Sequence, residues 1–248
     1  MNNNFTISIV VPALNEENNI KDTVAEIINC FRDNSREFEI LIFDDNSTDK
    51  TGAIADELER SYENVKTFHN SSGKNIGGIY KAGLIVAKFE YYMLITGDNE
   101  VIIKEIIPAL KYLCQADAVI FYHRNEHVRP LFRRILSRTY TNIINFLFCS
   151  DFKYTNDTNI YKKSILQDIS VRANDFSYQT ETLIKLAKKG LRFVEFGKDI
   201  RQRQHGKSKA VSISSFFKVS SSIFKLWLDV MVINRGKYNK KAQKIFTV

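Results

Sequence analysis

Two carboxylates lie two residues apart in the segment TGDNE at 96–100, directly after the apolar run YYMLI at 91–95. The apolar run predicts a β-strand, and an extended segment leaving a sheet lets Asp98 and Glu100 face one crevice. That crevice, outside the carboxyl ends of parallel strands, is where α/β proteins bind ligands. Carboxylates with nearby phosphate oxygens suit a hard divalent cation, Mg²⁺ or Mn²⁺. The pattern therefore predicts a metal–diphosphate site, and the competing interpretation is an exposed acidic turn.

A second acidic pair, Asp44 and Asp45, follows the strand-like run EILIF at 39–43. Carboxylates at that position can accept hydrogen bonds from a nucleobase imide or a ribose hydroxyl. Turn and helix-cap chemistry is the alternative, and it explains the polar residues at 46–49 well. It explains the two preceding acids less well, so a binding role is favoured.

The first 95 residues alternate between strand-like and helix-like patterns. Strands are predicted at 6–11, 39–43, 65–68 and 91–95, with amphipathic helices between them. This order predicts a parallel sheet with helices on both faces. The strands that end before Pro12, Asp44 and Asp98 should converge on one crevice, which favours the ligand-site interpretation over an acidic turn.

The second half continues the α/β pattern with a strong arginine content. A helix is predicted near 105–114, a strand at 118–122, an apolar helix ending near 148, a helix at 177–189 and a strand at 192–196. Five arginines lie just after the strand or near the start of the apolar helix: Arg124, Arg129, Arg133, Arg134 and Arg138. They form either a solvated helix face or, in part, a phosphate site.

Composition excludes global disorder, because 44% of the 248 residues are hydrophobic. The three cysteines are far apart and lack CxxC spacing, which is typical of reduced thiols in a cytosolic protein. The four scattered histidines argue against a zinc site. The first residues, MNNN, include no basic region or apolar stretch, so no signal peptide is predicted.

The positive charge is concentrated at the end of the chain. Residues 201–248 contain 11 Lys or Arg and one acid, whereas the preceding 200 residues contain 25 Lys or Arg and 27 acids. This pattern predicts contact with an anionic membrane, a nucleic acid or a phosphate-bearing substrate. The loop 201–209 is suited to close over an anion. The apolar segment 213–233 is interrupted by charges and predicts an amphipathic helix that lies on the domain or on a membrane.

Four segments together resemble glycosyltransferase family 2 with the GT-A fold, especially its polyprenyl-phosphate (dolichol-phosphate-like) mannose and glucose synthases. They are IVVPALNEE at 9–17, DDNSTDKT at 44–51, GDNE at 97–100, and Arg203 with GKSK at 206–209. The resemblance covers roughly residues 5–210. It implies a mostly parallel α/β sheet flanked by helices, with a catalytic domain at 1–210 and a basic amphipathic helical tail at 211–248.

The resemblance also implies binding roles on the donor side. It assigns six residues to the nucleotide pocket: Pro12, Leu14, Glu16, Asp45, Lys74 and Asp98. Asp45 would face the base. In the family's Asp-x-Asp motif, Thr96 replaces the first Asp, and Glu100 occupies a position that helps to hold the metal. The implied ligands of Mg²⁺ or Mn²⁺ are therefore Asp98 and Glu100.

Basic residues complete the set that the resemblance implies. Arg203 and Lys209 match the loop that grips the donor diphosphate. The acceptor phosphate would be held by Arg124, Arg133 and Ser137. The stretch 153–166 departs from the family's Asp-x-x-x-Gly-Phe-Arg pattern.

The implied reaction is inverting transfer of a hexose from a GDP- or UDP-sugar to a lipid phosphate or a glycan. The metal, held in part by Asp98, and the basic loop with Arg203 would together stabilise the leaving diphosphate. A lipid phosphate is already ionised and needs no base. A saccharide hydroxyl, as in cell-envelope polysaccharide synthesis, needs a carboxylate base, for which Asp175 and Glu181 are the candidates.

Three other functions compete with this one. A sugar nucleotidyltransferase would carry a Gly-rich loop after the first strand, whereas this chain has PALN at 12–15. A degenerate, non-catalytic binder that docks on a membrane is favoured by Thr96. A nucleic-acid binder lacks a recognised module, so no nucleic acid is expected. The expected location is cytoplasmic, peripheral at the inner face of the membrane.

Overall fold

The computed structural model describes residues 5–201 and 213–248. Its strands are β1 Thr6–Ala13, β2 Glu37–Asp44, β3 Val65–His69, β4 Tyr91–Leu94, β5 Ala118–His123, β6 Ile160–Lys162, β7 Arg192–Lys198 and β8 Gln243–Thr247. They form one sheet in the order β3-β2-β1-β4-β6-β5-β7-β8. Neighbours pair in parallel, except that β6 is antiparallel to both β4 and β5. The carboxyl ends of β1, β2, β4, β5 and β7 therefore share one edge.

Helices cover both faces of this sheet. They are α1 Ile20–Phe31, α2 Thr51–Ser61, α3 Asn75–Val86, α4 Leu131–Phe148, α5 Lys163–Gln167, α6 Tyr178–Ala187 and α7 Ile213–Trp227. Because strand side chains alternate between faces, β1 contributes Ile9 to one core with α1 and Val10 to the other with α3 and α6. The mostly parallel sheet flanked by helices is as predicted.

Two segments differ from the sequence predictions. Two short 3₁₀ helices, Ile103–Glu105 and Ile107–Tyr112, stand where one α-helix was predicted. Pro108 is the physical reason, because it has no N–H to donate to the preceding turn. The last residues of the basic tail, for which no strand was predicted, form β8 from Gln243 and join the sheet beside β7.

The end of the chain also packs on the domain. A π-helical turn, Leu228–Ile233, follows α7, and Leu226, Val230 and Tyr238 are buried in the core on the α3–α6 side. Of the two alternatives for the predicted amphipathic segment, packing on the domain accounts for these residues. Within residues 5–201 and 213–248, no helix combines the length and apolarity needed to span a bilayer.

Candidate active site

Three strand ends meet at the crevice predicted from the sequence. The Asp45 N–H donates to the Ala13 carbonyl at 2.9 Å, and the Gly97 N–H donates to the Pro12 carbonyl at 3.1 Å. These bonds hold the chain after β2 and after β4 on either side of the end of β1. The structure thus brings together the acidic segments that the sequence places about 50 residues apart.

Three asparagines turn the chain away from these strand ends. Asn15, Asn46 and Asn99 adopt left-handed φ angles of 58°, 65° and 56°. Asn tolerates this conformation better than most non-glycine residues, because its short amide bonds locally to the backbone. The repeated use of Asn after β1, β2 and β4 lets each segment bend sharply around the crevice.

Asp45 is buried and held by three donors. Its carboxylate accepts from Asn70 Nδ2 at 3.0 Å and from the backbone N–H groups of Lys74 at 2.8 Å and Asn75 at 3.1 Å. The last two lie at the start of α3, where the helix dipole also favours a negative charge. An ionised carboxylate has about four acceptor positions, so three donors leave about one for a ligand N–H.

Asp44 is occupied differently. It accepts from the Ser47 N–H at 3.1 Å and contacts His69 Nδ1 at 3.1 Å, while His69 Nε2 contacts Asp56 at 2.9 Å. Hydrogen bonding to Asp56 and then Asp44 raises the pKa of His69, against a smaller opposing effect of burial. Asp44 therefore organises the turn after β2, and the two adjacent acids have distinct roles that the sequence does not distinguish.

The second acidic segment is pre-arranged around Asp98. Thr96 Oγ1 donates to Asp98 Oδ1 at 2.7 Å, and the Glu100 N–H approaches the same oxygen at 3.3 Å. Thr96, which replaces the first acid of the family motif, thus supports the remaining one. Asp98 and Glu100 are both half-buried at the edge of the crevice.

The carboxylate pair fits a hard cation of the Mg²⁺ type. Such ions commonly keep several waters and bind one or two protein carboxylates plus substrate phosphates. In the part of the chain that the structure describes, no group of three or more His, Cys, Asp or Glu could hold a metal ion. Asp98 and Glu100 would therefore supply a partial ligand set that a diphosphate completes.

The basic loop begins beside this segment. The Arg201 N–H donates to the Glu100 carbonyl at 3.1 Å, and its side chain contacts Asn99 Oδ1 at 2.6 Å and Glu26 at 2.9 Å. Arg201, the first residue of the basic loop, is therefore held beside the acidic segment. Arg203 and Lys209, assigned to the donor diphosphate, lie outside the described residues.

The remaining nucleotide-pocket predictions lie around the same strand ends. Pro12 is the seventh residue of β1, Leu14 is partly exposed after it, and the Glu16 N–H donates to Thr51 Oγ1 at 2.8 Å. Lys74 contributes its backbone N–H to Asp45, whereas its side chain is exposed. The structure thus places Pro12, Leu14 and Glu16 at and just after the end of β1, and Lys74 in contact with Asp45.

The residues predicted for the acceptor phosphate lie on the other side of the sheet edge. Arg124 follows β5, and its guanidinium pairs with Glu105 and, at 3.2 Å, with Asp199. Arg133 and Ser137 are half-buried one turn apart on α4. Arg124 is therefore neutralised by two carboxylates, so an incoming phosphate would compete with them.

A buried charged cluster on this side was missed by the sequence interpretation. Asp157 contacts Lys198 Nζ and His123 Nε2, both at 2.9 Å, and His123 and Lys198 face each other across β5 and β7. Burial alone would raise the pKa of Asp157, but the Lys198 charge and then His123 outweigh it and hold that pKa well below its ordinary value. No spacing in the sequence links these three positions. The one available signal is that His123 and Lys198 are polar residues at the ends of apolar strands.

The cluster also supports residues nearer the surface. The Tyr154 ring packs on His123 with centroids 4.7 Å apart, and its hydroxyl accepts from Arg129 Nη1 at 3.2 Å. Arg129 lies two residues before α4, so the buried cluster supports the segment that leads into the helix carrying Arg133 and Ser137. The segment that departs from the family pattern thus forms part of the acceptor side.

Glu181, a candidate base, is buried and bonded on several sides. Its carboxylate accepts from the N–H groups of Arg172 and Ala173 at 2.8–3.1 Å and from Lys185 Nζ at 2.7 Å. Lys185 in turn pairs with Asp229 at 2.9 Å. These contacts organise the loop before α6 and hold the π-helical turn against the domain. The role of Glu181 as a base stays a prediction. Asp175, the other candidate, accepts from the Ser177 N–H at 2.9 Å.

The loop that Glu181 holds reaches the donor pocket. The Asn174 carbonyl accepts from the Gly77 N–H at 2.9 Å, near the first turn of α3. A Cβ at Gly77 would lie 2.7 Å from the Ala173 carbonyl oxygen, so only glycine allows this approach. We call residues 170–174 the α3 strap, because they hold the helix whose first N–H groups bind Asp45.

Residues 8–170 match the family model described as Glycosyl transferase family 2, which is more than half of the chain. The chain therefore belongs to glycosyl transferase family 2. The sequence prediction of this family is confirmed.

Curated relatives agree with this assignment. The chain is 22% identical over 237 residues to glycosyltransferase AglD of Haloferax volcanii, covering 91% of this chain and 38% of that protein. It is 23% identical over 220 residues to dolichol-phosphate mannosyltransferase of Pyrococcus furiosus, covering 86% and 62% respectively. The chain thus spans less than two thirds of either relative. The predicted likeness to the polyprenyl-phosphate branch is confirmed.

A solved structure shares the fold. Glucosyl-3-phosphoglycerate synthase of Mycobacterium tuberculosis, in complex with Mn²⁺, uridine diphosphate and phosphoglyceric acid, superposes with a TM-score of 0.64 at 16% identity. The match covers 91% of this chain and 78% of that one. At this identity the likeness confirms the predicted GT-A architecture.

Proposed function

We propose that this chain transfers a hexose, with inversion, from a GDP- or UDP-sugar to a polyprenyl phosphate, assisted by Mg²⁺ or Mn²⁺. The observation that carries the proposal is the meeting of Asp45 with Asp98 and Glu100 at one sheet edge. A base-binding carboxylate and a metal-binding pair at that edge match the two ends of a nucleotide diphosphate. The dolichol-phosphate mannosyltransferase relative and the Mn²⁺–uridine diphosphate complex of the solved neighbour support it.

On the donor side, Asp45 accepts the imide N–H of the base with the lone pair that its three protein donors leave. Pro12, Leu14 and Glu16 line the pocket after β1, and Lys74 closes it from α3. Because Asp45 is fixed before the nucleotide arrives, little conformational entropy is lost on binding.

At the diphosphate, Asp98 and Glu100 would hold the divalent cation, which supplies charge stabilisation when bound. Arg203 and Lys209, from the loop that begins at Arg201, add positive charge to the same phosphates. These groups favour the transition state because negative charge accumulates on the leaving diphosphate as the sugar departs.

On the acceptor side, Arg124, Arg133 and Ser137 position the lipid phosphate. One of its oxygens attacks the anomeric carbon, and the bond from that carbon to the diphosphate oxygen breaks with its electron pair. The products are a sugar phosphodiester and a nucleoside diphosphate. An ionised phosphate needs no base, which accords with a Glu181 carboxylate already bonded by Lys185 and backbone N–H groups.

A second candidate function is a non-catalytic nucleotide binder, which Thr96 in place of an acid favours. Transfer to a saccharide hydroxyl is the other variant, and it requires Glu181 to be released as a base. We place the protein at the cytoplasmic face of the membrane, as a peripheral protein, because a polyprenyl acceptor is anchored there.

A thermal-shift panel followed by turnover tests the proposal. UDP and GDP, each with and without Mn²⁺, are added to wild type, Asp98→Ala and the exposed control Asp168→Ala. A ligand that binds only the folded state raises the melting temperature. We expect a Mn²⁺-dependent shift that Asp98→Ala loses and Asp168→Ala keeps, and nucleotide release with polyprenyl phosphate. A shift without turnover on either acceptor class would favour the binder.

A further inference from the structure

We propose that Glu26 on α1 is a positioning residue for the donor site, because its carboxylate joins the acidic segment 96–100 to the start of the basic loop. Its Oε1 accepts from the Ile103 N–H at 3.1 Å, and its Oε2 pairs with Arg201 Nη1 at 2.9 Å. We call these two contacts the Glu26 clamp. None of the site residues implied by the sequence lies on α1. The role of the clamp at the donor rests on the proposed function.

The side of α1 that faces the acidic segment carries two polar residues, Thr23 and Glu26. Residues three apart in a helix lie on the same side. Thr23 is buried, and its Oγ1 donates to the Gly97 carbonyl at 3.3 Å. Glu26 binds just beyond the other end of the segment, at Ile103. α1 therefore holds both ends of the stretch that carries the two proposed metal ligands.

The Arg201 side chain is held by two acceptors at once. Its Nη1 has two hydrogens and lies 2.9 Å from Glu26 Oε2 and 2.6 Å from Asn99 Oδ1. The Glu26 side chain is 16% exposed and that of Arg201 36%, so water and salt screen this ion pair less than a pair on the open surface. Because Asn99 lies between the two proposed metal ligands, the guanidinium is attached to the acidic segment itself.

The backbone beside Arg201 is fixed as well. Ile200 forms an antiparallel bridge with Val101, and the Asn125 amide makes two hydrogen bonds with Ile200, at 3.0 Å to its N–H and 2.9 Å to its carbonyl. The basic loop begins from this point. Arg203 follows two residues after Arg201, and two residues span at most about 7 Å. The clamp therefore limits the distance between the implied diphosphate arginine and the acidic segment.

One carboxylate thus couples two groups that would act on the same diphosphate. The acidic segment would hold the divalent cation, and the basic loop would add positive charge. Both act on the leaving group only if their spacing matches the two phosphates, and a misplacement of about 1 Å can reduce catalysis by about 10²-fold. The clamp sets this spacing before a ligand arrives, and Glu26 itself does not need to touch the ligand.

Glu26→Gln tests the clamp with little change of shape. The Gln carbonyl oxygen can still accept from the Ile103 N–H, whereas the charge that binds Arg201 is lost. Asp22→Asn removes the same charge from an exposed site on the same helix and is the control. With Mn²⁺ present, we expect Glu26→Gln to bind UDP or GDP about tenfold more weakly than wild type, as for loss of one charge-assisted contact. Its affinity for the matching monophosphate, UMP or GMP, should be unchanged, because that ligand lacks the second phosphate.

A double-mutant cycle tests whether Glu26 acts through Arg201. In the background of Arg201→Met, adding Glu26→Gln should cause no further loss of diphosphate affinity. Additive losses would overturn the proposal. So would an unchanged diphosphate affinity in Glu26→Gln, or an equal weakening of diphosphate and monophosphate, which would assign Glu26 a general structural role.

Amide hydrogen exchange separates the clamp from the proposed function, because it uses no nucleotide. We expect the Arg201 N–H to exchange faster in Glu26→Gln than in wild type or Asp22→Asn, while the Ile103 N–H stays protected. If wild type binds no nucleotide but this difference in exchange is present, the proposed function fails and the clamp remains. If exchange at Arg201 is the same in all three proteins, the clamp itself is refuted.

Discussion

The two sides of the sheet edge are built in different ways. On the donor side, around β1, β2 and β4, the functional groups lie within a few residues of the strand ends, and Asp45 and Asp98 each accept hydrogen bonds from nearby donors. On the acceptor side, around β5 and β7, charges such as Asp157 and Lys198 are paired with each other in the interior. The groups proposed to bind the donor therefore lie in short segments after the strands, whereas the acceptor side is held together by contacts between residues that are distant in the sequence.

The largest effect is expected on the donor side. Asp98→Ala removes one of the two carboxylates that would hold the cation at the leaving group. We expect turnover to fall by about 10²–10³-fold, in line with the loss of a preorganised charge-stabilising group, with little change in melting temperature without ligand. Steady-state release of nucleoside diphosphate measures this. A variant within threefold of wild type would show that the pair is not part of the site.

Substitutions in the buried cluster of the acceptor side should lower the free energy of unfolding as well as affect turnover. Lys198→Met leaves Asp157 buried without its cation, and breaking a buried pair from one side costs about 3–5 kcal/mol. Urea denaturation of the variant measures the free energy of unfolding. The double variant Lys198→Met/Asp157→Leu should recover much of the loss, because no uncompensated charge remains. A cost below 1 kcal/mol for the single variant would contradict the role given to this cluster.

Gly77→Ala tests whether the α3 strap transmits packing to the donor pocket. Its Cβ would lie 2.7 Å from a backbone oxygen, so the strap or α3 must shift, at about 1–3 kcal/mol by analogy with overpacking. We expect weaker nucleotide binding as well, because α3 donates to Asp45. Gly236→Ala, where a Cβ would meet nothing within 4 Å, is the control. Equal nucleotide affinity in both variants would separate the strap from the pocket.

The smallest expected effect concerns pH on the donor side. Hydrogen bonds to Asp56 and Asp44 raise the pKa of His69. A raised folded-state pKa adds stability that is fully present below the unfolded value near 6.5 and is lost as pH rises through the folded-state value. Melting temperature followed across neutral pH should therefore decline more in wild type than in His69→Gln. Parallel curves would show that the His69 charge is not linked to folding.

Most of the donor side could be predicted from the sequence, because β1 and β2 are continuous apolar runs and their polar residues follow at once. The acceptor side could not. β6 is only three residues long and antiparallel, and His123, Asp157 and Lys198 have no common spacing. The bonding of Glu181 by Lys185 and Asp229 likewise depends on tertiary packing, whereas the sequence shows only an acid on a helix.

The pairing of β8 with β7 attaches the far end of the basic tail to the sheet. The chain leaves the sheet after Lys198 and returns at Gln243 to the strand it has just left. Within that segment, Leu226, Val230 and Tyr238 are also buried in the core, so the described part of the tail is attached to the domain at more than one place. Loss of β8 would remove one of these attachments and leave the buried residues of 226–238 as the remaining contacts with the domain.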